Sequence, residues 1–374
     1  MIKRRIDHGY LLYLMVAVLA TALTFSACGE DDSEEPTPGT DPTETDFTDL
    51  LSNQVNEIII PSMEKYQEEM TDFVAAVAGF ASSRDEASLV TLRSAHRAAY
   101  LAYQAAAVHN FYSTSNQALV ETTNLYPVDV TLLENLIASE SYNFSTEAQE
   151  RANGFPAIDY LLYGPADVLA YYGEDAKRLA FLQALVNSMK DKADTLVSLW
   201  TGNLANNFVE NGGTALGSSI SVQLNESLVY YEEHIRGNKV GIPIGLNGPN
   251  DSPIDPDATK IEAYYQSLVE GNENLALALL RASIEEVEDF YLGTGADGTD
   301  GQGYDDLLLA RDQAAVDTDI KAQFEAIYSQ IGDRNSISGD NSLYNSIQTI
   351  VTLFKSDLFP LLDVQDADGK TDGD

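Results

Sequence analysis

Few residues in this chain have the type and spacing to do chemistry. Once the first 27 residues are set aside, the histidines are His96, His109 and His234. None has an acid or a second histidine three or four positions away, the spacing that puts two metal ligands on one helical face. His96, beside Arg97 on an alanine-rich segment, reads as a surface or packing residue. His109, just before Phe111-Tyr112, reads as a helix end, and His234, after two glutamates, as part of a solvated charged face. Asp297, Asp300, Asp305 and Asp306 miss the EF-hand spacing and read as a mobile loop leading into a helix N-cap. No phosphate-cradling glycine loop of Walker type and no G-x-S-x-G elbow is present. What remains is Asp159 and Tyr163, one helical turn apart and able to share a face.

The stretch that must position that pair runs from Gly154 to Gly164. Glycine and proline punctuate both ends, and Pro156 suits a first helical turn because its missing N–H would be unsatisfied there anyway. Ile158, Leu161 and Leu162 recur at the spacing of a core-facing stripe. An acid this close to a helix N-terminus is expected to be ionised.

Around it, helical periodicity prevails. Helices are expected over 47–79, with Pro61 at a kink or first turn, and over 88–110. A turn at Tyr126-Pro127 should precede a helix from Asp129, and a long amphipathic helix should fill 175–200. Further helices are expected over 213–236, over 258–292 with a break near Gly271-Asn272, over 304–331 and over 341–362. The segment 237–257, with four glycines and four prolines, reads as a loop, and 293–303 is too rich in glycine and aspartate to pack a core. No alternating pattern bounded by hairpin turns appears, so the fold class is all-α: two packed, four-helix-bundle-like halves, 47–200 and 201–374, the second with an acidic tail. The chain contains 20 tyrosines, Tyr126, Tyr160, Tyr163, Tyr230 and Tyr231 among them, which suggests core residues with wet hydroxyls and a polar-aromatic cleft between the halves.

The first residues indicate an address. Lys3, Arg4 and Arg5 precede an apolar run from Leu11 to Leu23, and Ser26-Ala27 precede Cys28, the sole cysteine. The start resembles a bacterial lipoprotein signal, which implies a signal peptide over 1–27, lipidation of Cys28 and a membrane anchor without a spanning helix. Residues 28–46 are acidic and proline-rich and read as a disordered tether. Their acidic cluster resembles the export signal of surface-exposed lipoproteins, so the expected location is the outer membrane, at the cell surface. A single cysteine leaves no disulfide, no thiolate metal site and, once lipidated, no thiol nucleophile. Removing 1–27 takes Lys3, Arg4, Arg5 and Asp7 and moves the net charge from −38 to −40. Such a surface repels nucleic acid.

Several fragments together resemble the imelysin-like family. Tyr126-Pro127-Val128-Asp129 is similar to its Y-P-x-D element. Gly154 to Gly164 matches the place of its G-x-H-x-x-E, and Lys239 to Gly245 its "lysine, glycine-x-proline-x-glycine" segment, with Gly301 to Leu307 following in order. The resemblance spans 47–374. It implies two helical halves with a site where they meet, in envelope proteins of which some are classed as metallopeptidases and others tied to iron. Here the chain departs from the family: Pro156 and Asp159 stand where the histidine and glutamate would be, and proline has no ligand atom. The expected function is therefore a non-catalytic binding component, with the resemblance pointing to iron or haem acquisition and the metal and cofactor left unassigned. The candidate site residues are Asp159, Tyr163, Tyr126 and Asp129, with Arg236 and Lys239 compensating their charge. A metal-dependent peptidase with a rearranged site and a surface protein that docks an envelope partner are the alternatives.

Overall fold

In the computed structural model, residues 46–111, 119–246, 254–339 and 341–367 are described. Cys28 and the expected signal peptide and tether, up to Thr45, lie outside them. Helix α1 (Thr48–Asn53) passes through a π-helical stretch, Gln54–Ile59, into α2 (Ile60–Ser83). Next come α3 (Glu86–Val108), α4 (Leu119–Thr123), α5 (Val130–Ser139) and a 3-10 segment, Glu147–Ala152. They are followed by α6 (Gly154–Tyr163), α7 (Val168–Glu174) and α8 (Ala176–Leu199). A second π-helical stretch, Trp200–Leu204, leads to α9 (Ala205–Glu210) and α10 (Ser219–Tyr230). A third, Tyr231–Gly241, continues into α11 (Ile242–Ile244). The chain ends through α12 (Tyr264–Glu270), α13 (Asn274–Leu292), α14 (Tyr304–Ala310), α15 (Ala314–Gly332) and α16 (Ser342–Leu353), then a π-helical stretch, Phe354–Leu358, and α17 (Phe359–Leu361). No strand occurs among the described residues, only an isolated bridge between Thr294 and Asp300. The all-α expectation holds.

The described residues belong to one compact unit. Helix α2 packs between α3 and α8, α13 lies against α3, and α15 pairs with α16. The buried face of α2 reads Met63, Tyr66, Met70, Phe73, Val77 and Phe80, spaced alternately three and four residues apart, which puts these large apolar side chains on one side. Starts follow capping chemistry: Asp85, Asp129, Asp167 and Asp175 each accept a backbone N–H of the turn they open, at 2.8–2.9 Å.

Three of the π-helical stretches share one cause. Each ends just before an X-Pro pair: Ile60-Pro61, Ile242-Pro243 and Phe359-Pro360. An α-helical proline would crowd the carbonyl four residues back and leave it without a donor. The chain widens instead, and the amide before each proline reaches five residues back, Ile60 to Val55, Ile242 to Gly237 and Phe359 to Phe354. The carbonyl freed by Pro61, that of Glu57, accepts from Ala296 at 2.9 Å. Asn53 Nδ2 donates to the Gly293 carbonyl at 2.7 Å beside it.

Five readings are corrected by these details. The segment 293–303 is docked onto the first helices rather than mobile. Residues 237–244 are helical rather than loop. Helix α10 begins at Ser219 rather than 213, because Gly212, Gly213 and Gly217 hold a turn ahead of it. Helix α12 begins at Tyr264 rather than 258. The continuous helix over 304–331 is also broken, at Arg311–Gln313, where Asp312 takes a φ of 58°.

Candidate functional site

Helix α6 owes its entry to Gly154. Its φ is +72°, and a Cβ there would sit 1.9 Å from the Thr123 carbonyl oxygen, so no other residue fits. The Asn153 side chain accepts from the Gly154 N–H at 2.7 Å and donates to the Phe144 carbonyl at 2.9 Å. Phe155 then stacks on Tyr100, centroids 4.3 Å apart and 4° from parallel. His96 fills the rest of this aromatic wall against Phe73, Tyr100 and Phe155. It is fully buried, and burial drives its pKa down to about 3, so it is a neutral packing residue.

Asp159 sits in the middle of α6 and is 1 % exposed. Its oxygens accept from two backbone amides of another element, Tyr265 N–H at 2.7 Å and Gln266 N–H at 3.0 Å. Those are first-turn amides of α12. The residue before α12 is Ala263, in the left-handed region with φ 53° and no side chain able to cap. Asp159 is therefore the N-cap of a helix about a hundred residues further along the chain. Burial pushes its pKa up to about 7, against the lowering effect of the Tyr265 and Gln266 amides, with Glu270 adding a further rise. What favours its charged form is thus the pair of α12 amides rather than the N-terminus of its own helix, from which it lies too far along α6.

A cavity of about 260 Å³ opens beside this junction. One side is Tyr126, Pro127 and Val128, with a cis Tyr126–Pro127 peptide, together with Pro156 and Asp159. The other is Thr259, Ile261, Ala263, Tyr264 and Tyr265. Behind it lies a closed polar network. Lys239 Nζ contacts Glu262 Oε2 at 2.6 Å and donates to Gln104 Oε1 at 2.8 Å, and Asn124 Nδ2 donates to Glu262 Oε1 at 2.6 Å. The Tyr100 hydroxyl donates to Asn124 Oδ1 at 2.6 Å. Lys239 and Glu262 are 4 % and 2 % exposed, and burial pulls the lysine pKa down against the opposing effect of Glu262. Tyr126 is held well above the usual tyrosine value, first by burial and then by Glu262 and Tyr230.

The sequence candidates thus divide. Asp159 and Tyr126 line the cavity, and Lys239 sits behind it with Glu262 as its partner. Tyr163 lies under the Arg93 guanidinium, 4.5 Å above its ring, with burial pushing its pKa to about 12. Asp129 is exposed and caps α5 through the Leu132 N–H. Arg236 bonds Gln348 and faces Glu232 at 3.8 Å and the Tyr344 ring, away from the cavity. Glu262, Gln104, Asn124, Tyr264 and Tyr265 had no sequence signal of their own. The one usable hint was the lysine of the Lys239–Gly245 segment, which needs a buried acid once it is known to be buried.

The residues at the H-x-x-E place do not fit a catalytic metal. Pro156 offers no donor atom, and both oxygens of Asp159 hold α12. His109, the residue that ends α3, contacts Glu286 at 2.5 Å, and Ser62 donates to the same oxygen at 2.7 Å. His234 pairs with Asn238 at 3.1 Å. No group of three or more His, Cys, Asp or Glu among the described residues is placed to hold a metal ion. A larger, open cleft of about 650 Å³ between α13 and α15 is lined by Glu285, Glu288, Asp289 and Glu325. There Arg281 pairs with Glu285 at 2.6 Å, and burial with Glu286 and its neighbours raises Asp289 to about 7.

The fold is all-α, with Gly154 and Asp159 on the helix that walls the cavity, and comparison gives its family. The family model described as Imelysin (Peptidase M75) matches residues 59–343, so the chain belongs to the imelysin family. Its fold is that of an imelysin-like protein from Psychrobacter arcticum: TM-score 0.65, 16% identity, 87% of this chain and 98% of the other. It is likewise similar to a structure described as a putative iron-regulated protein A precursor from Parabacteroides distasonis: TM-score 0.68, 18% identity, 87% of this chain and 96% of the other. No curated protein matches.

Proposed function

We propose that this imelysin-family protein is a cell-envelope lipoprotein, anchored through Cys28 to the outer membrane, that binds a small ligand without catalysing a reaction on it. The observation that carries this is the state of Asp159: both its oxygens hold the α12 amides at 2.7 and 3.0 Å, beside Pro156, on the wall of a cavity. A wall so arranged offers contact surface and no open metal position. The cavity lies just below the range of about 300–1,000 Å³ usual for ligand pockets, which favours a ligand of amino-acid size over a haem macrocycle. A role in iron acquisition rests on the iron-regulated name of one similar structure and is part of the proposal.

The test uses the purified mature chain. Its melting temperature should rise with a small ligand that fits the cavity, and Val128→Trp, which fills the space, should abolish the rise. Cleavage of an unfolded protein substrate should be absent with or without added zinc. Chelator-sensitive cleavage lost in Asp159→Asn would overturn the reading in favour of a peptidase.

A further inference from the structure

Resting on the cavity reading above, we infer that the cavity is an aromatic cage for a small organic cation of the alkylammonium class, with the Tyr126, Tyr264 and Tyr265 rings and the Asp159 carboxylate as its recognition elements. Three tyrosines lie on its lining. Tyr264 and Tyr265 stand edge-to-face, centroids 5.2 Å apart and 71° between planes, so they form two walls of a corner rather than one flat surface. A third ring, Tyr160, braces Tyr265 at 5.1 Å and 70°. Aromatic faces carry negative potential and attract cations, most strongly where water is excluded.

The charge around the cavity agrees. Asp159 is the only ionisable acid or base on the lining besides the tyrosines, and no lysine, arginine or histidine lines it. Behind it, Lys239 is held by Glu262 and Gln104 and has no charge to present to a ligand. Glu270, whose field reaches Asp159, adds negative potential from the far end of α12. An anionic ligand would meet this field with no compensating base. A neutral apolar ligand would fill the space and leave the negative potential of Asp159 and Glu270 uncompensated. An alkylammonium head answers the rings and the acidic field together, and the remaining lining of Pro127, Val128, Pro156, Ile261 and Ala263 suits its methyl or methylene groups.

Calorimetric titration of the mature protein with choline and with dimethylbutanol, the neutral isostere in which carbon replaces the ammonium nitrogen, tests this. Choline should bind at least about tenfold more tightly, the scale of one to two cation–π contacts. Tyr264→Leu should weaken choline several-fold more than it weakens dimethylbutanol, and Tyr264→Phe, which keeps the ring, should restore most of the difference. Equal binding of the two probes overturns the cation assignment while leaving a ligand cavity in place. No choline binding at millimolar concentration likewise overturns the cation assignment alone, whereas choline binding that survives Val128→Trp unchanged overturns both.

Discussion

Asp159 carries most of the chemistry at the scale of single residues. Its folded pKa of about 7 stands above the ordinary value of 3.8. The folded state therefore holds the proton more tightly than the unfolded chain does. Its stability contribution is fully present below the ordinary value and is lost as pH rises through about 7. Around it stand Glu270 and Tyr265 of α12, Tyr163 of α6 and Tyr100 of α3. Urea unfolding of wild type and Asp159→Asn, compared from about pH 4 to about pH 8, should show the wild type losing on the order of 4 kcal/mol relative to the non-titrating variant. A difference independent of pH would remove the buried-carboxylate assignment. Gly154 is as constrained: Gly154→Ala meets the Thr123 carbonyl and a left-handed backbone, and should cost more than about 2 kcal/mol by thermal denaturation. Glycine at the start of α6 was legible from the Asn153-Gly154 punctuation. The titration state of Asp159 was not, because the amides it serves belong to α12.

Elements explain the uneven legibility. Helix α8 begins where Asp175 announces it, and α5 where Asp129 does, since each cap is local. Helix α12 carries no cap in its own sequence. Residues 258–263 are compatible with helix, and only Asp159 determines that the first turn starts at Tyr264. Glu262 reads as a surface charge until the π-helical stretch that ends at Pro243 brings Lys239 beside it. This pair joins the α3 side of the molecule, through Gln104 and Asn124, to the segment that walls the cavity. Lys239→Met should cost about 3–5 kcal/mol by leaving Glu262 buried without its counter-ion, and adding Glu262→Leu should recover part of that loss. A single variant as stable as wild type, measured by the same unfolding curve, would show that the network is not closed as described.

For the whole molecule, the helical class was legible because apolar stripes such as that of α2 repeat at the helical period along nearly the entire chain. The distant pairings were not: α6 with α12, and α13 with α3, join segments about a hundred residues or more apart, and no local pattern encodes them. Anchoring belongs to this scale too. No described helix is long and apolar enough to cross a membrane, and attachment in the proposal rests on Cys28 alone. Cys28→Ala should move the protein from the membrane pellet to the soluble fraction of lysed cells, and retention in the pellet would contradict a lipid anchor. The central claim is that ligand enters between the Tyr126–Val128 turn and the start of α12. Hydrogen exchange with and without saturating choline tests it most directly, because the Tyr265 and Gln266 amides report on the cavity wall itself. Slower exchange across 259–270, with the acidic cleft at 281–289 unchanged, is the predicted result; protection confined to that cleft, with 259–270 unaffected, would contradict it.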